Sequence, residues 1–380
     1  MSDDLTRYRR RFTVLRERSY FTAQCLGPLP DEVFSDLNDY TQTLLLRSRS
    51  LELWLGRMYE LIALLERFLN APPGTVALRD SATACHAAIA SALEPSRERN
   101  RIVTVQDLHF RSTRYLWDAQ EARGFSLLDV PATERGISAE ALCSKIDERT
   151  SIVAIPLVSP QTGELLPVAE IAKRAREVGA LTIVDAFQGV GITPVDVRAL
   201  GADVLIAGTH KWLCSADMGL AFMYVSRELS ERLVPKYPGW IGHVDLKNTT
   251  PTFVPAQGAQ RFQQGSPAVE PIYTARAGLR FVMEVGVDAL RARSLLLTQR
   301  MIDGARERGL RLLTPVEPER RGGMLCIDVA DPDRIVSALA AEKIDIDTRP
   351  GSGLRVGPFP CLDEAECDHL IQRIAELNRP

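Results

Sequence analysis

Residues 181–213 read LTIVDAFQGVGITPVDVRALGADVLIAGTHKWL and contain two short apolar runs, Leu181–Val184 and Val204–Ala207. Runs of this kind are typical of strands buried in a parallel sheet. Asp185 follows the first run directly, and Lys211 comes shortly after the second. Because ligands of open α/β sheets bind outside the carboxyl ends of the strands, we expect this carboxylate and this amine to face one ligand.

The alternation of apolar runs with helical stretches continues on both sides of this segment. The other strand candidates are Thr75–Leu78, Arg101–Val105, Ser151–Leu157 and Leu220–Val225. The helix candidates are Ala82–Leu93, Val168–Val178 and Arg227–Leu233. Strands that alternate with helices imply right-handed crossovers, so we predict an α/β fold with a mostly parallel sheet.

The pattern changes after about residue 270. A long helical stretch at 272–308 leads into two strand candidates, Gly323–Val329 and Ile344–Thr348. The chain has 380 residues, which is more than one core usually organises. We predict an N-terminal segment at 1–40 that packs on the small domain or on a dimer partner, a large α/β domain at 41–265 and a small α+β domain at 266–380.

Composition and charge argue against several classes of protein. The net charge is −3 without a large basic block, so we expect no nucleic-acid partner. No apolar run reaches the length of a membrane span, and the opening MSDDLTRYRR lacks the apolar stretch of a secretory signal. The seven cysteines form no CxxC pair, which gives no sign of a metal site. We expect a cytoplasmic protein with no membrane contact and no metal.

The pairing of Asp185 with Lys211 suits pyridoxal 5'-phosphate (PLP). A lysine amine can hold this cofactor as a Schiff base and later carry protons, and a carboxylate can keep the pyridine nitrogen protonated. A capping aspartate and a surface lysine are the plainer interpretation of such a pair. The context His210-Lys211-Trp212-Leu213 directly after a strand favours PLP.

This stretch resembles the aminotransferase class V family of fold-type I PLP enzymes, which includes cysteine desulfurases, kynureninases and related epimerases. In that family an acidic residue, followed three positions later by His or Gln, precedes the Schiff-base lysine. The resemblance implies the fold-type I architecture, with a seven-stranded sheet between helices and a smaller α+β domain. It implies PLP as the cofactor and four catalytic residues: Lys211, Asp185, Gln188 and His210.

Further positions match the family's cofactor site. The start of a helix at Ala82 and Thr83 would hold the phosphate, Phe110 would stack on the ring, and Ser159 would lie near the 3-hydroxyl. The expected cofactor contacts are Ala82, Thr83, Phe110, Ser159, Asp185, Gln188, Thr209, His210, Lys211, Trp240 and Ser266.

Within the family the chain most resembles kynureninase. Gly239–His243 is similar to its GWWGH loop, and Phe110–Thr113 is similar to its FPSD motif. The resemblance implies a homodimer in which Trp240 and Ser266 touch the phosphate across the interface. It implies that Arg355 binds the substrate carboxylate, with Arg349 as a second candidate and Thr113 nearby.

The expected reaction is hydrolysis of the Cβ–Cγ bond of an L-amino acid, which gives alanine and an aryl acid. Kynureninases usually carry aspartate at the position of Thr113 and tyrosine at that of His210, so alternatives stay open. These are β-elimination of a modified cysteine by a C–S lyase, transamination or epimerisation, and a degenerate PLP-binding paralogue without activity. The loop Asp347–Leu354 has no cysteine, which argues against a persulfide mechanism.

Overall fold

A computed structural model describes residues 5–105, 108–133, 136–247 and 250–379. The N-terminal part contains α1 (Thr13–Glu17), β1 (Ser19–Tyr20), α2 (Val33–Leu44) and α3 (Ser50–Phe68). Short 3₁₀ helices lie at Leu5–Arg11, Arg47–Arg49, Ala119–Arg123, Trp240–Gly242, Gly258–Phe262 and Pro318–Arg320. In the part of the chain that is described, no helix is both long and apolar enough to cross a membrane.

A seven-stranded sheet forms the centre of the molecule. Its strands are β2 (Val76–Arg79), β3 (Arg101–Val105), β4 (Ser126–Val130), β5 (Thr150–Pro156), β6 (Leu181–Asp185), β7 (Val204–Gly208) and β8 (Ala221–Val225). The strand order is β2-β8-β7-β6-β5-β3-β4, and only β8 runs against its neighbours. The predicted α/β class with a mostly parallel sheet is confirmed.

Helices cover both faces of this sheet. They are α4 (Ala82–Ala92), α5 (Arg111–Asp118), α6 (Ala139–Cys143), α7 (Val168–Glu177), α8 (Val197–Leu200) and α9 (Arg227–Arg232). Neighbouring strand residues alternate between two cores: Val184 and Leu205 pack on one face, and Ile183 and Ile206 pack on the other. Sequence analysis missed β4 because this edge strand is only half buried and carries no continuous apolar run.

A second, antiparallel sheet lies in the C-terminal part. Its elements are α10 (Val269–Val285), α11 (Val287–Glu307), β9 (Arg311–Leu312), β10 (Leu325–Asp328), α12 (Pro332–Ala341), β11 (Ile344–Asp345), β12 (Asp347–Arg349), β13 (Gly353–Val356) and α13 (Glu364–Leu377). The sheet order is β12-β13-β10-β9. The stretch at 272–308 is two helices, because Gly286 has a φ of +85° that ends α10. The division at residues 40 and 265 stays a prediction.

The N-terminal segment lies against both parts of the chain. β1 pairs in parallel with β11, and Arg18 forms an ion pair with Asp345. Further along, the Gly27 N–H donates to the carbonyl of His210 over 2.8 Å. A Cβ atom on Gly27 would lie 1.9 Å from the Lys211 carbonyl oxygen, so only glycine allows this approach.

We predict that Gly27→Ala lowers the free energy of unfolding by about 1–3 kcal/mol, because the added methyl group has no room beside Lys211. Gly56→Ala is the matched control, since Gly56 lies inside α3 with nothing within 4 Å of its Cβ position. This control should gain about 0.5–1 kcal/mol from the higher helix propensity of alanine. Urea unfolding measures both changes. Equal stability of Gly27→Ala and the wild type would contradict the packing argument.

Candidate active site

Strand register brings the predicted acid and lysine to one edge of the sheet. Asp185 is the last residue of β6 and pairs with Ile206 of β7 and Pro156 of β5. β7 ends at Gly208, and Lys211 follows three residues later, so both side chains project from the carboxyl ends of adjacent parallel strands.

These side chains line a cavity of about 240 Å³. Its walls are formed by Cys25, Phe110, Pro156, Val158, Pro160, Asp185, Phe187, Gln188, His210, Lys211, Met218 and Arg349. Six of the residues predicted from the sequence therefore meet in one space. They are Phe110, Asp185, Gln188, His210, Lys211 and Arg349.

The Lys211 amine lies against two aromatic rings. Its Nζ is 4.4 Å from the ring centre of Phe187 and 5.9 Å from that of Phe110. Burial is the main reason that the pKa of Lys211 is lowered to about 8; the negative charge of Asp185 opposes the shift, and the cations Arg355 and Arg349 add smaller lowering effects. Gly208 makes room for Phe187, because a Cβ there would lie 2.0 Å from the tip of that ring.

The Asp185 carboxylate is buried and held from several sides. Oδ1 accepts the backbone N–H of Phe187 over 3.1 Å, and Oδ2 accepts the Thr113 hydroxyl over 3.1 Å. His86 Nε2 lies 3.8 Å from Oδ2. Burial alone would raise the pKa of Asp185, but His86 and the Phe187 N–H outweigh it and lower this pKa to about 2. The carboxylate is ionised at neutral pH.

Two polar atoms at the cavity have no hydrogen-bond partner among the described residues. Gln188 donates from Nε2 to the Gln24 carbonyl over 3.0 Å, but its Oε1 has no hydrogen-bond partner among the described residues. His210 Nδ1 likewise has no hydrogen-bond partner among the described residues. Burial, and to a smaller extent the positive charge of Lys211, lowers the pKa of this histidine to about 4. Unsatisfied buried polar atoms beside a lysine and an ionised carboxylate fit a polar, aromatic cofactor with a basic ring nitrogen.

The predicted phosphate contacts occupy two places. Ala82 and Thr83 open α4 directly after β2, where Ser81 caps the helix by accepting the Ala84 N–H. Trp240 and Ser266 do not line the cavity; the Trp240 indole donates to the Leu246 carbonyl over 2.9 Å. The roles of these residues stay predictions.

Four other predicted residues are buried beside the cavity rather than in its wall. Arg355 is fully buried and pairs with Asp347 through Nε and one terminal nitrogen. Thr113 contacts Asp185, and Thr209 donates its hydroxyl to the Leu220 carbonyl over 3.3 Å. The Ser159 hydroxyl accepts backbone N–H groups at 161 and 162. Their direct contacts with cofactor or substrate stay predictions.

The residues that shape the site but were not predicted from the sequence include Phe187, His86 and Asp347. Phe187 could have been predicted from the sequence, because it lies between Asp185 and Gln188 at the same edge of the sheet. His86 has no local signal, because its neighbour Asp185 lies far away in the sequence. Asp347 lies near Arg355 in the sequence, but their pairing depends on the register of β12 and β13. The described residues contain no group of three or more His, Cys, Asp or Glu that could hold a metal ion.

Comparison with known proteins identifies the family. The chain matches the family model Aminotransferase class-V over residues 56–360. It is 26% identical over 371 residues to the uncharacterized aminotransferase YcbU of Bacillus subtilis, covering 97% of this chain and 96% of that protein. A kynureninase of Xanthomonas oryzae is 29% identical over 316 residues, covering 78% of this chain and 74% of the kynureninase.

A solved structure shares the fold. It is the C-DES enzyme, a cystine C–S lyase, in a form with glycine covalently linked to its PLP cofactor. Its TM-score is 0.88 at 21% identity, covering 97% of this chain and 99% of that chain. The chain described here belongs to the aminotransferase class-V family, has the fold-type I architecture and is a PLP-dependent enzyme.

Proposed function

We propose that this enzyme hydrolyses the Cβ–Cγ bond of an L-amino acid that carries an aryl ketone side chain, with alanine and an aryl acid as products. The main support for this proposal is the position of the Lys211 amine. It lies in a small cavity near the rings of Phe187 and Phe110, together with the ionised Asp185. The similarity to a kynureninase along 78% of the chain supports this branch of the chemistry.

The shared first step of this chemistry depends on Lys211. PLP bound through this residue supplies an electron sink for the bonds to the substrate Cα. Because the pKa of Lys211 is about 8, a usable fraction of the amine is uncharged near neutral pH and can accept the α proton. Asp185 keeps its negative charge for a protonated pyridine nitrogen.

Two arginines are available for the substrate carboxylate. The Arg349 guanidinium lines the cavity and lies 5.1 Å from the ring centre of Phe110, so it can meet the carboxylate directly. Arg355 is already paired with Asp347 and donates from its other terminal nitrogen to the Pro160 carbonyl over 3.2 Å. Arg355 can bind the same carboxylate only by exchanging one of these partners.

The walls of the cavity favour an apolar side chain on the substrate. Phe110 and Met218 are 38% and 68% exposed, so they form its rim, and Val158 closes the side away from solvent. Moving an aryl group from water onto such a surface lowers the free energy of the complex. This is consistent with a substrate whose reactive carbonyl is attached to a ring.

A second candidate is β-elimination of a modified cysteine. It is favoured by Thr113, which occupies the position where kynureninases usually carry aspartate. Thr113 is only 2% exposed and donates a hydrogen bond to Asp185. β-Elimination shares α-proton removal and does not need that aspartate. The structural relative C-DES is described as a cystine C–S lyase. Transamination and epimerisation stay open as further alternatives, and an inactive PLP-binding paralogue is one outcome of the assays below.

We further propose a homodimer. Five large apolar side chains on and between α2 and α3 are exposed in the single chain: Phe34, Leu45, Leu46, Leu51 and Leu53. Large exposed apolar side chains on neighbouring elements are a feature of interaction surfaces. A second copy of the chain would cover them.

We predict that Lys211→Ala abolishes the visible absorption band of the bound cofactor and lowers turnover by at least about a hundredfold, because both the attachment point and the base are lost. Lys236→Ala is the control, since Lys236 is an exposed lysine that pairs with Glu94. Borohydride reduction followed by peptide mapping of the wild type should find the cofactor on Lys211. A label on another lysine would contradict the assignment.

We predict that the purified enzyme with PLP releases alanine and an aryl acid from L-kynurenine or 3-hydroxykynurenine. Anthranilate fluorescence and alanine quantification measure the two products in parallel. Release of pyruvate from S-substituted cysteines, without anthranilate, would favour β-elimination instead. An intact cofactor band without turnover of either substrate class would favour the inactive paralogue.

We predict a mass of about twice 42.1 kDa in sedimentation equilibrium, and dissociation of the dimer by Leu45→Glu, because a carboxylate cannot be buried there without a partner. A monomer at micromolar concentration in the wild type would rule out this assembly.

A further inference from the structure

His86 is a buried histidine behind the Asp185 carboxylate. It is the fifth residue of α4 and is 1% exposed. Its ring meets the Trp117 ring edge-on, with 5.9 Å between the ring centres and an angle of 86°. It does not line the cavity, so it can reach a ligand only through another residue.

Both ring nitrogens of His86 lack a hydrogen-bond partner among the described residues. Leaving two buried polar atoms unsatisfied is costly, so a partner for at least one of them is expected in the functional state. Nε2 lies 3.8 Å from the carboxylate oxygen Oδ2 of Asp185. A shift of about 1 Å would make this contact a hydrogen bond.

The Lys211 amine interacts with Asp185 through its charge, but it is the proposed attachment point of the cofactor. Thr113 and the Phe187 N–H are neutral donors. His109 Nε2 lies 2.9 Å from the Ala154 carbonyl, which can only accept, and burial lowers the pKa of this histidine to about 4. His109 Nε2 is therefore engaged by that carbonyl, and among the described residues His86 is an imidazole near the carboxylate whose ring nitrogens are still free to donate.

We propose that His86 is a positioning residue for the cofactor: its Nε2 donates to Asp185 Oδ2 and thereby keeps the carboxylate ionised and available to the pyridine nitrogen of PLP. This inference rests on the proposed role of Asp185 in binding that nitrogen. His86 touches neither cofactor nor substrate, and its effect passes through one carboxylate oxygen.

The test compares PLP with 1-deazapyridoxal phosphate, in which a C–H group replaces the ring nitrogen. Each is titrated into the apo form of the full-length wild type and of His86→Phe, and binding is followed by absorption and tryptophan fluorescence. Phenylalanine keeps the ring against Trp117 but cannot donate. Trp117→Phe is the control, because it changes the packing around His86 and leaves the imidazole in place.

We expect His86→Phe to weaken PLP binding about tenfold, the size of one lost hydrogen bond to a charged group, and to change the affinity for the deaza analogue less than twofold. Trp117→Phe should change both affinities by the same factor. If His86→Phe does not fold, His86→Gln is measured instead; its amide is a weaker donor, and its loss should again be confined to PLP.

Equal losses for both compounds would show that His86 only supports the packing, and would overturn the inference. So would an unchanged PLP affinity in a folded variant. If the wild type itself binds PLP no better than the deaza analogue, the proposed role of Asp185 fails instead, so the two failures are distinguishable.

Discussion

The pairing of β6 with β7 and β5 is the constraint on which the site depends. Asp185 lies beside Ile206 and Pro156 at the carboxyl end of three parallel strands, and Lys211 follows the end of β7 on the same edge. A shift of one residue in this register would turn Asp185 to the opposite face of the sheet. The alternating burial of residues such as Ile183 and Val184 in two separate cores prevents that shift.

Burial controls the charges at this edge. Lys211 and His210 lose part of their affinity for protons on leaving water, while Asp185 stays ionised because its oxygens are surrounded by donors. Nearby, the fully buried Arg355 is balanced by Asp347. Burial thus brings the amine closer to its neutral form, while the surrounding donors keep the carboxylate charged, which is the combination that PLP chemistry on amino acids uses.

The N-terminal segment joins the two parts of the molecule at this site. The backbone carbonyl of Gln24 accepts the Gln188 side chain, while its own side chain donates to Asp347 over 3.0 Å. Three residues later, Gly27 lies directly against Lys211. The N-terminal segment is therefore bonded to the C-terminal sheet at Asp347 and contacts both Gln188 and Lys211 at the site.

The sequence alone determined the strands that carry Asp185 and Lys211, because continuous apolar runs and the residues that follow them are local features. It also identified Phe110, Gln188, His210 and Arg349, whose motifs resemble those of a known family and which line the cavity together. The pairing of Arg355 with Asp347, the contact of Thr113 with Asp185 and the position of His86 were decided only by the tertiary structure. Thr113 and His86 each lie about 70 or more positions from Asp185 in the sequence. Arg355 and Asp347 are closer together, but their pairing depends on the register between β12 and β13, which no local pattern encodes.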